Sequence, residues 1–130
     1  QRIPHVDAYD ERQIAIVHFL SIRDLGGTAF FRQRSTGFET VNGARARAYL
    51  DALAADMRIH GEPPAAYVSD DSKLFERTFL GEHRLDRALI YRGALLHCAW
   101  LRDTPELPAD PLEGRLTVAS FLRPAPRRPR

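Results

Sequence analysis

The run Gln13–Leu20, Q-I-A-I-V-H-F-L, constrains this chain more than any other stretch. Side chains of an extended strand point alternately to its two faces, and here both alternating faces are apolar. Such a strand is expected to be sandwiched between layers, since an open face would leave half of its apolar surface in water. Thr28–Arg32, after the turn signal Gly26-Gly27, and Arg115–Leu122, after Gly114, are two further runs with β-branched and aromatic content. Arg87–Leu101 is too long and too apolar for one strand. Gly93 divides it into Ala88–Arg92 and Ala94–Leu101, a hairpin-like or bent pair. Ala66–Val68 and Phe75–Leu80 are shorter strand candidates.

One segment breaks the β pattern. Ala44–His60 carries Tyr49, Leu50, Leu53 and Met57 at i, i+1, i+4 and i+8, a one-sided stripe read as core-facing. Asn42 is placed to cap its start, and Arg47–Asp51 is an i,i+4 charge pair. Gly61 and then Pro63-Pro64 stop it. A chain of 130 residues supports a single domain around a single core. Mostly β with one inserted helix predicts a mainly β fold, a sandwich or barrel-like jelly roll (double-stranded β-helix) over residues 1–122. Residues 123–130 read as a disordered Pro/Arg tail.

Charge bears on partners through its distribution. The net charge is 19 − 17 = +2, but Arg123, Arg127, Arg128 and Arg130 all lie in the last eight positions. Without them the body carries 15 − 17 = −2, which offers no general attraction to phosphate, so no nucleic-acid partner is expected. No apolar stretch approaches the roughly 18–20 residues that cross a bilayer, and none resembles a signal-peptide core. Cys98 is the sole cysteine, which excludes an intrachain disulfide and a multi-Cys zinc site. It reads as a small buried filler, and the whole suits a reducing cytoplasmic setting. The chain opens on Gln1 rather than Met, so an upstream segment is expected beyond it.

Chemistry enters at P-H-V-D, Pro4–Asp7. In an extended segment His5 and Asp7 project to the same side, where an imidazole and a carboxylate can share one divalent ion. A third ligand has to come from elsewhere in the fold. Two His and one carboxylate on one face leave three positions open, an arrangement suited to non-haem Fe(II) oxygen chemistry. H-x-D alone arises often by chance, and its plain alternative is a loop-end His beside a turn-forming Asp.

The remaining motifs follow in order. After Asp7 come Q-I-A-I-V-H-F-L-S and G-G-T-A-F-F; far downstream lie A-L-I-Y-R-G-A-L-L-H, ending at His97, and G-R-L-T-V-A-S-F-L. This ordered set resembles the 2-oxoglutarate/Fe(II)-dependent dioxygenases, in particular their prolyl-4-hydroxylase-like branch. The resemblance covers roughly Pro4–Gln33 and Asp86–Leu122. The chain looks more closely like an uncharacterised bacterial family sharing P-H-x-D, G-G-T-x-F-x-R-x-R-S-T-G-x-E and G-R-L-T. The resemblance implies a jelly-roll oxygenase with Fe(II) held by His5, Asp7 and His97, and 2-oxoglutarate as co-substrate. It implies Arg115 as the anchor for the far carboxylate of 2-oxoglutarate, because a guanidinium fork matches a carboxylate with two parallel bonds. Thr117, two residues on, faces the same way and can add a third bond.

Two departures stand out. The basic residue usually follows the distal His by about ten positions, whereas here the gap is 115 − 97 = 18; a Pro-rich, loop-like connection accounts for the excess. Phe19 stands where the branch often has a co-substrate-binding Tyr, and Tyr91 is the candidate to supply that hydroxyl instead. Members of the superfamily also carry helices and strands ahead of H-x-D, whereas only four residues precede His5 here.

Other polar residues have lesser roles on this reading. His18, sharing a face with Ile14 and Ile16, is expected as a core histidine or a support to the ligands. His60 and His83 read as surface residues, and Trp100 as core. Arg32 and Arg34 open a loop where two arginines could grip an acidic or peptide substrate, with a solvated loop as the alternative. The substrate, small molecule or peptide, is not specified by any residue, nor is an oligomeric state. The rival functions are a non-catalytic jelly-roll domain that binds a ligand or partner, and a cupin-type metal enzyme using Zn, Mn or Ni without 2-oxoglutarate.

Overall fold

Strand pairing is antiparallel throughout the computed structural model, which describes residues 3–64, 71–102 and 107–125. In chain order the elements are β1 (Ile14–Phe19), β2 (Thr28–Gln33), α1 (Ala46–His60), β3 (Phe75–Gly81), β4 (Ala88–Arg92), β5 (His97–Ala99) and β6 (Thr117–Leu122). They form two three-stranded sheets, ordered β4-β1-β6 and β3-β2-β5. The described residues are therefore mainly β with one helix. Ala66–Val68 lies outside the described residues, as do residues 126–130 of the tail.

The alternation of β1 explains how the sheets face each other. Ala15 and Phe19 are buried, and Val17 between them lines a cavity shared with Thr28 and His97 of the second sheet. Ile14, Ile16 and His18 point the other way and are only half-buried. Their cross-strand neighbours Ile90, Val118 and Leu122 are exposed. The expectation that both faces of this run are covered thus holds for one face among the described residues. His18 is correspondingly no core histidine: it lies half-exposed, 3.5 Å from Asp86. The reason is where the helix goes, since α1 packs on the other sheet.

The second sheet has its own two faces. Ala29 and Phe31 of β2 and Cys98 of β5 join Val41, Tyr49, Leu74, Phe75 and Leu96 in the apolar core, and Ala46, Leu53 and Met57 of α1 pack against it. Burying side chains of the size of Phe31 stabilises by about 1.5–3 kcal/mol each. Thr28 and Phe30 alternate to the opposite face, paired with Ala99 and His97 of β5, and that face looks toward the first sheet. Helix α1 begins two residues later than expected. Asn42 still caps the turn that leads into it, its side chain accepting from the Arg45 N–H at 3.0 Å and its carbonyl from the Ala46 N–H. Leu50 is half exposed instead of joining the stripe, because one residue turns a helix by about 100° away from Tyr49.

Gly93 does not close a hairpin. Strand β4 belongs to the first sheet and β5 to the second, so the chain bends there and crosses between layers. β5 is also shorter than Ala94–Leu101, because Ala94 and Leu96 pair instead with Val41 and Glu39 (2.9 and 2.8 Å). Arg123, grouped with the tail on sequence grounds, is tied to the body through its bond to Gln13 at 2.9 Å. No helix of the described residues is long and apolar enough to cross a membrane.

Candidate metal centre

His5 is fixed by its backbone. Its N–H donates to the His97 carbonyl and the His97 N–H donates back, each at 2.9 Å, so the two residues are directly paired across an isolated bridge. Asp7 is anchored the same way, its N–H donating to the Gly93 carbonyl at 2.7 Å. With period-two alternation, His5 and Asp7 then face the same side as His97. The outcome is a cluster: one ligand atom from each of His5, Asp7 and His97 lies within 4.8 Å of the others, an arrangement that could hold a metal ion.

Several details suit that use. The His5 Nε2–Asp7 Oδ1 and His97 Nε2–Asp7 Oδ2 separations are 3.6 and 3.4 Å. Ligand atoms each about 2.1 Å from one ion lie about 3–3.5 Å apart. His97 Nδ1 sits 2.8 Å from the Leu95 carbonyl, so that nitrogen carries the proton and Nε2 presents its lone pair. Asp7 Oδ2 is buried with no hydrogen-bond partner. A buried acceptor left so costs about 1–3 kcal/mol, and a cation at the cluster would relieve it. Burial first, and then the neighbouring His97 imidazole, hold His5 below the ordinary imidazole value, which keeps it neutral.

The cluster opens onto a cavity of about 170 Å³ between the two sheets. Arg115, Thr117 and Tyr91 line it together with His5, Asp7 and His97, so all six residues singled out in the sequence meet at one place. Arg115 precedes β6 rather than lying within it. It donates to the Gly27 carbonyl at 3.2 Å, and its guanidinium lies 5.8 Å from the centre of the Phe19 ring. Phe19 is fully buried, so it serves as an aromatic face beneath the guanidinium. The Tyr91 ring stands edge-on to His97 at 4.8 Å, and burial raises its phenol above the ordinary value.

The sequence matches a family of unknown function, DUF6445, over residues 1–122. The chain belongs to the DUF6445 family. No curated protein matches it, and no solved structure does.

Glycines shape the far end of the cavity in this DUF6445 chain. A Cβ on Gly27 would sit 2.0 Å from the Gly81 carbonyl oxygen, so only glycine lets the start of β2 approach the end of β3 there. The same Gly27 carbonyl receives Arg115 and the Trp100 N–H. A Cβ on Gly114 would meet the carbonyls of Pro108 and Asp110 at 2.4 and 2.8 Å, which shows how the long connection folds back just before Arg115.

Sequence reasoning missed other participants. Thr28, Val17 and Phe121 also line the cavity. The Gly26-Gly27 turn before Thr28 was the available signal, since its close approach sets Thr28 at the junction of β3, β2 and β5. His83 is not a surface residue: its side chain is 3% exposed and packs edge-on against Phe19 at 5.3 Å. His60 is exposed, as expected. Trp100 is partly buried against the core. Arg32 and Arg34 do not line the metal cavity: Arg32 sits in β2 and pairs with Glu39 and Glu76, whereas Arg34 lies in an exposed turn, the solvated alternative, and pairs with Asp71.

Proposed function

We propose that this DUF6445 chain is an Fe(II)- and 2-oxoglutarate-dependent oxygenase, acting as a hydroxylase on a jelly-roll scaffold. The observation that carries the reading is the convergence of His5, Asp7 and His97 in a cavity that Arg115 also lines. Two imidazoles and one carboxylate on one side are the donor set that suits non-haem Fe(II) with open positions. The winding of the chain supports the scaffold. It passes between the sheets from β1 to β2, β3 to β4, β4 to β5 and β5 to β6, as a double-sheet jelly roll does. His5 and Thr40 add isolated bridges at the edge of the second sheet toward the eight strands of that fold.

When bound, Fe(II) with 2-oxoglutarate and O₂ supplies oxidation of a substrate C–H to C–OH, with 2-oxoglutarate leaving as succinate and CO₂. The protein's part is placement. Arg115 presents a guanidinium fork to the distal carboxylate, resting on Phe19 and held by the Gly27 carbonyl. Thr117, which lines the same cavity, offers a hydroxyl to the same group. The Leu95 carbonyl fixes the His97 tautomer, and Val17 and Phe121 keep the cavity walls apolar.

Oxygen-dependent succinate release, measured after anaerobic loading with Fe(II) and 2-oxoglutarate, tests the reading. The unaltered chain is expected to release succinate. Asp7→Asn and His97→Gln should each weaken Fe(II) binding at least about 100-fold and abolish release. Arg115→Ala should raise the 2-oxoglutarate concentration required by about ten- to 100-fold. Metal-dependent activity insensitive to Arg115→Ala would instead indicate a cupin-type enzyme without 2-oxoglutarate. Absence of both metal binding and succinate would indicate a non-catalytic binding domain.

A further inference from the structure

Beyond Tyr91 lies a second, larger cavity, about 300 Å³, that the metal centre does not use. Its apolar walls are Phe30, Phe79, Leu89, Tyr91 and Leu95. Tyr91 borders both cavities. Phe30 stands edge-on to Tyr91 at 5.0 Å, and Tyr91 stands edge-on to His97 at 4.8 Å, so an aromatic partition joins this space to the metal cluster. At the mouth, Phe79 is 60% exposed, apolar surface that a ligand would remove from water.

The polar groups give the space a sign. The Thr78 hydroxyl is committed to the Phe30 carbonyl at 3.3 Å. Among the described residues lining the cavity, Glu39 is the charged one. Glu39 and Glu76 both pair with Arg32, so these three side chains sum to 1 − 2 = −1. Glu39 is also held in register. Its carbonyl accepts the Leu96 N–H at 2.8 Å, and Thr40 beside it bridges to Leu95. An excess carboxylate charge at the rim of an apolar pocket favours a cation with an apolar body and disfavours an anion of the same shape.

We propose that this second cavity is the substrate pocket of the metal centre and that its ligand is a small amphipathic amine. The apolar body sits among Phe30, Phe79 and Leu89, and the ammonium group lies at the Glu39 carboxylate. The role of the pocket in turnover rests on the oxygenase reading, whereas its binding preference requires no metal.

Titrating the metal-free full chain with 4-phenylbutylamine and with 4-phenylbutyrate, followed by amide NMR shifts, separates the two. The amine is expected to bind with at least about a tenfold preference over the acid, with shifts at Thr78, Phe79 and Leu89. Glu39→Gln leaves Arg32 its pairing with Glu76 and should weaken amine binding about fivefold while sparing the acid. Phe79→Ala, at an exposed position, should weaken both ligands. Equal affinity for amine and acid, or amine binding unchanged in both variants, overturns the proposal, as does no amine binding. Succinate release without amine binding would overturn this pocket and leave the oxygenase reading standing; amine binding without succinate release would leave the binding preference and overturn the oxygenase reading together with the pocket's role in turnover.

Discussion

Cys98 is buried among Ala29, Phe31 and Leu96, on the face of β5 opposite to the metal cavity. Burial raises its thiol from the ordinary value of 9.0 to about 11. The folded state therefore holds the proton more tightly than the unfolded chain does. The associated stability is fully present below about pH 9 and is lost as pH rises through about 11. Urea unfolding at pH 8 and pH 10.5 should show a larger loss for the unaltered chain than for Cys98→Ala, and native Cys98 should resist thiol reagents at pH 8. An equal loss in both proteins would remove the effect. Two placements were legible from the sequence: a lone cysteine in an apolar run reads as filler, and the resemblance that grouped His5, Asp7 and His97 agrees with their proximity in the fold. His83 was not legible, because nothing in G-E-H-R announces that its ring turns inward onto Phe19.

Elements were legible where local pattern decides them. β1, β4 and β6 fall within their expected runs, β2 runs one residue past its own, and the helix ends at His60 before Gly61 as expected. The misreadings arise where tertiary pairing overrides pattern. Ala94–Leu96 looks like strand but is claimed by Glu39–Val41, whereas the bend read at Gly93 is present and carries the chain from one sheet to the other. The Gly26-Gly27 turn is the element-level device on which the cavity depends. Gly27→Ala would drive a methyl into the Gly81 carbonyl and displace the carbonyl that holds Arg115. Its cost should be at least about 1–3 kcal/mol, read as a lower urea midpoint. An unchanged midpoint would show that β2 and β3 do not approach so closely.

At the scale of the whole molecule, the apolar core of the described residues lies on one side. Helix α1 covers the outer face of β3-β2-β5, whereas the Ile14/Ile16 face of the other sheet carries exposed Ile90, Val118 and Leu122. The composition gave no sign of this asymmetry, because apolar residues on β1 alternate regardless of what lies against them. Ligand binding between the sheets should therefore matter to stability. A divalent ion at 100 times its dissociation constant contributes about 2.7 kcal/mol, a rise of about 8–10 °C in Tm for a domain of this size. Thermal unfolding with and without Fe(II) under nitrogen, or with Mn(II), checks this, and His97→Gln should abolish the rise. The reciprocal backbone bonds between His5 and His97 carry a last consequence. They fasten the leading segment to a strand 92 positions downstream, and an ion gripping both imidazoles would act as a rivet through that seam. Chelation should then be felt first as faster deuterium uptake at the His5 and Asp7 amides, while those of β1 stay slow.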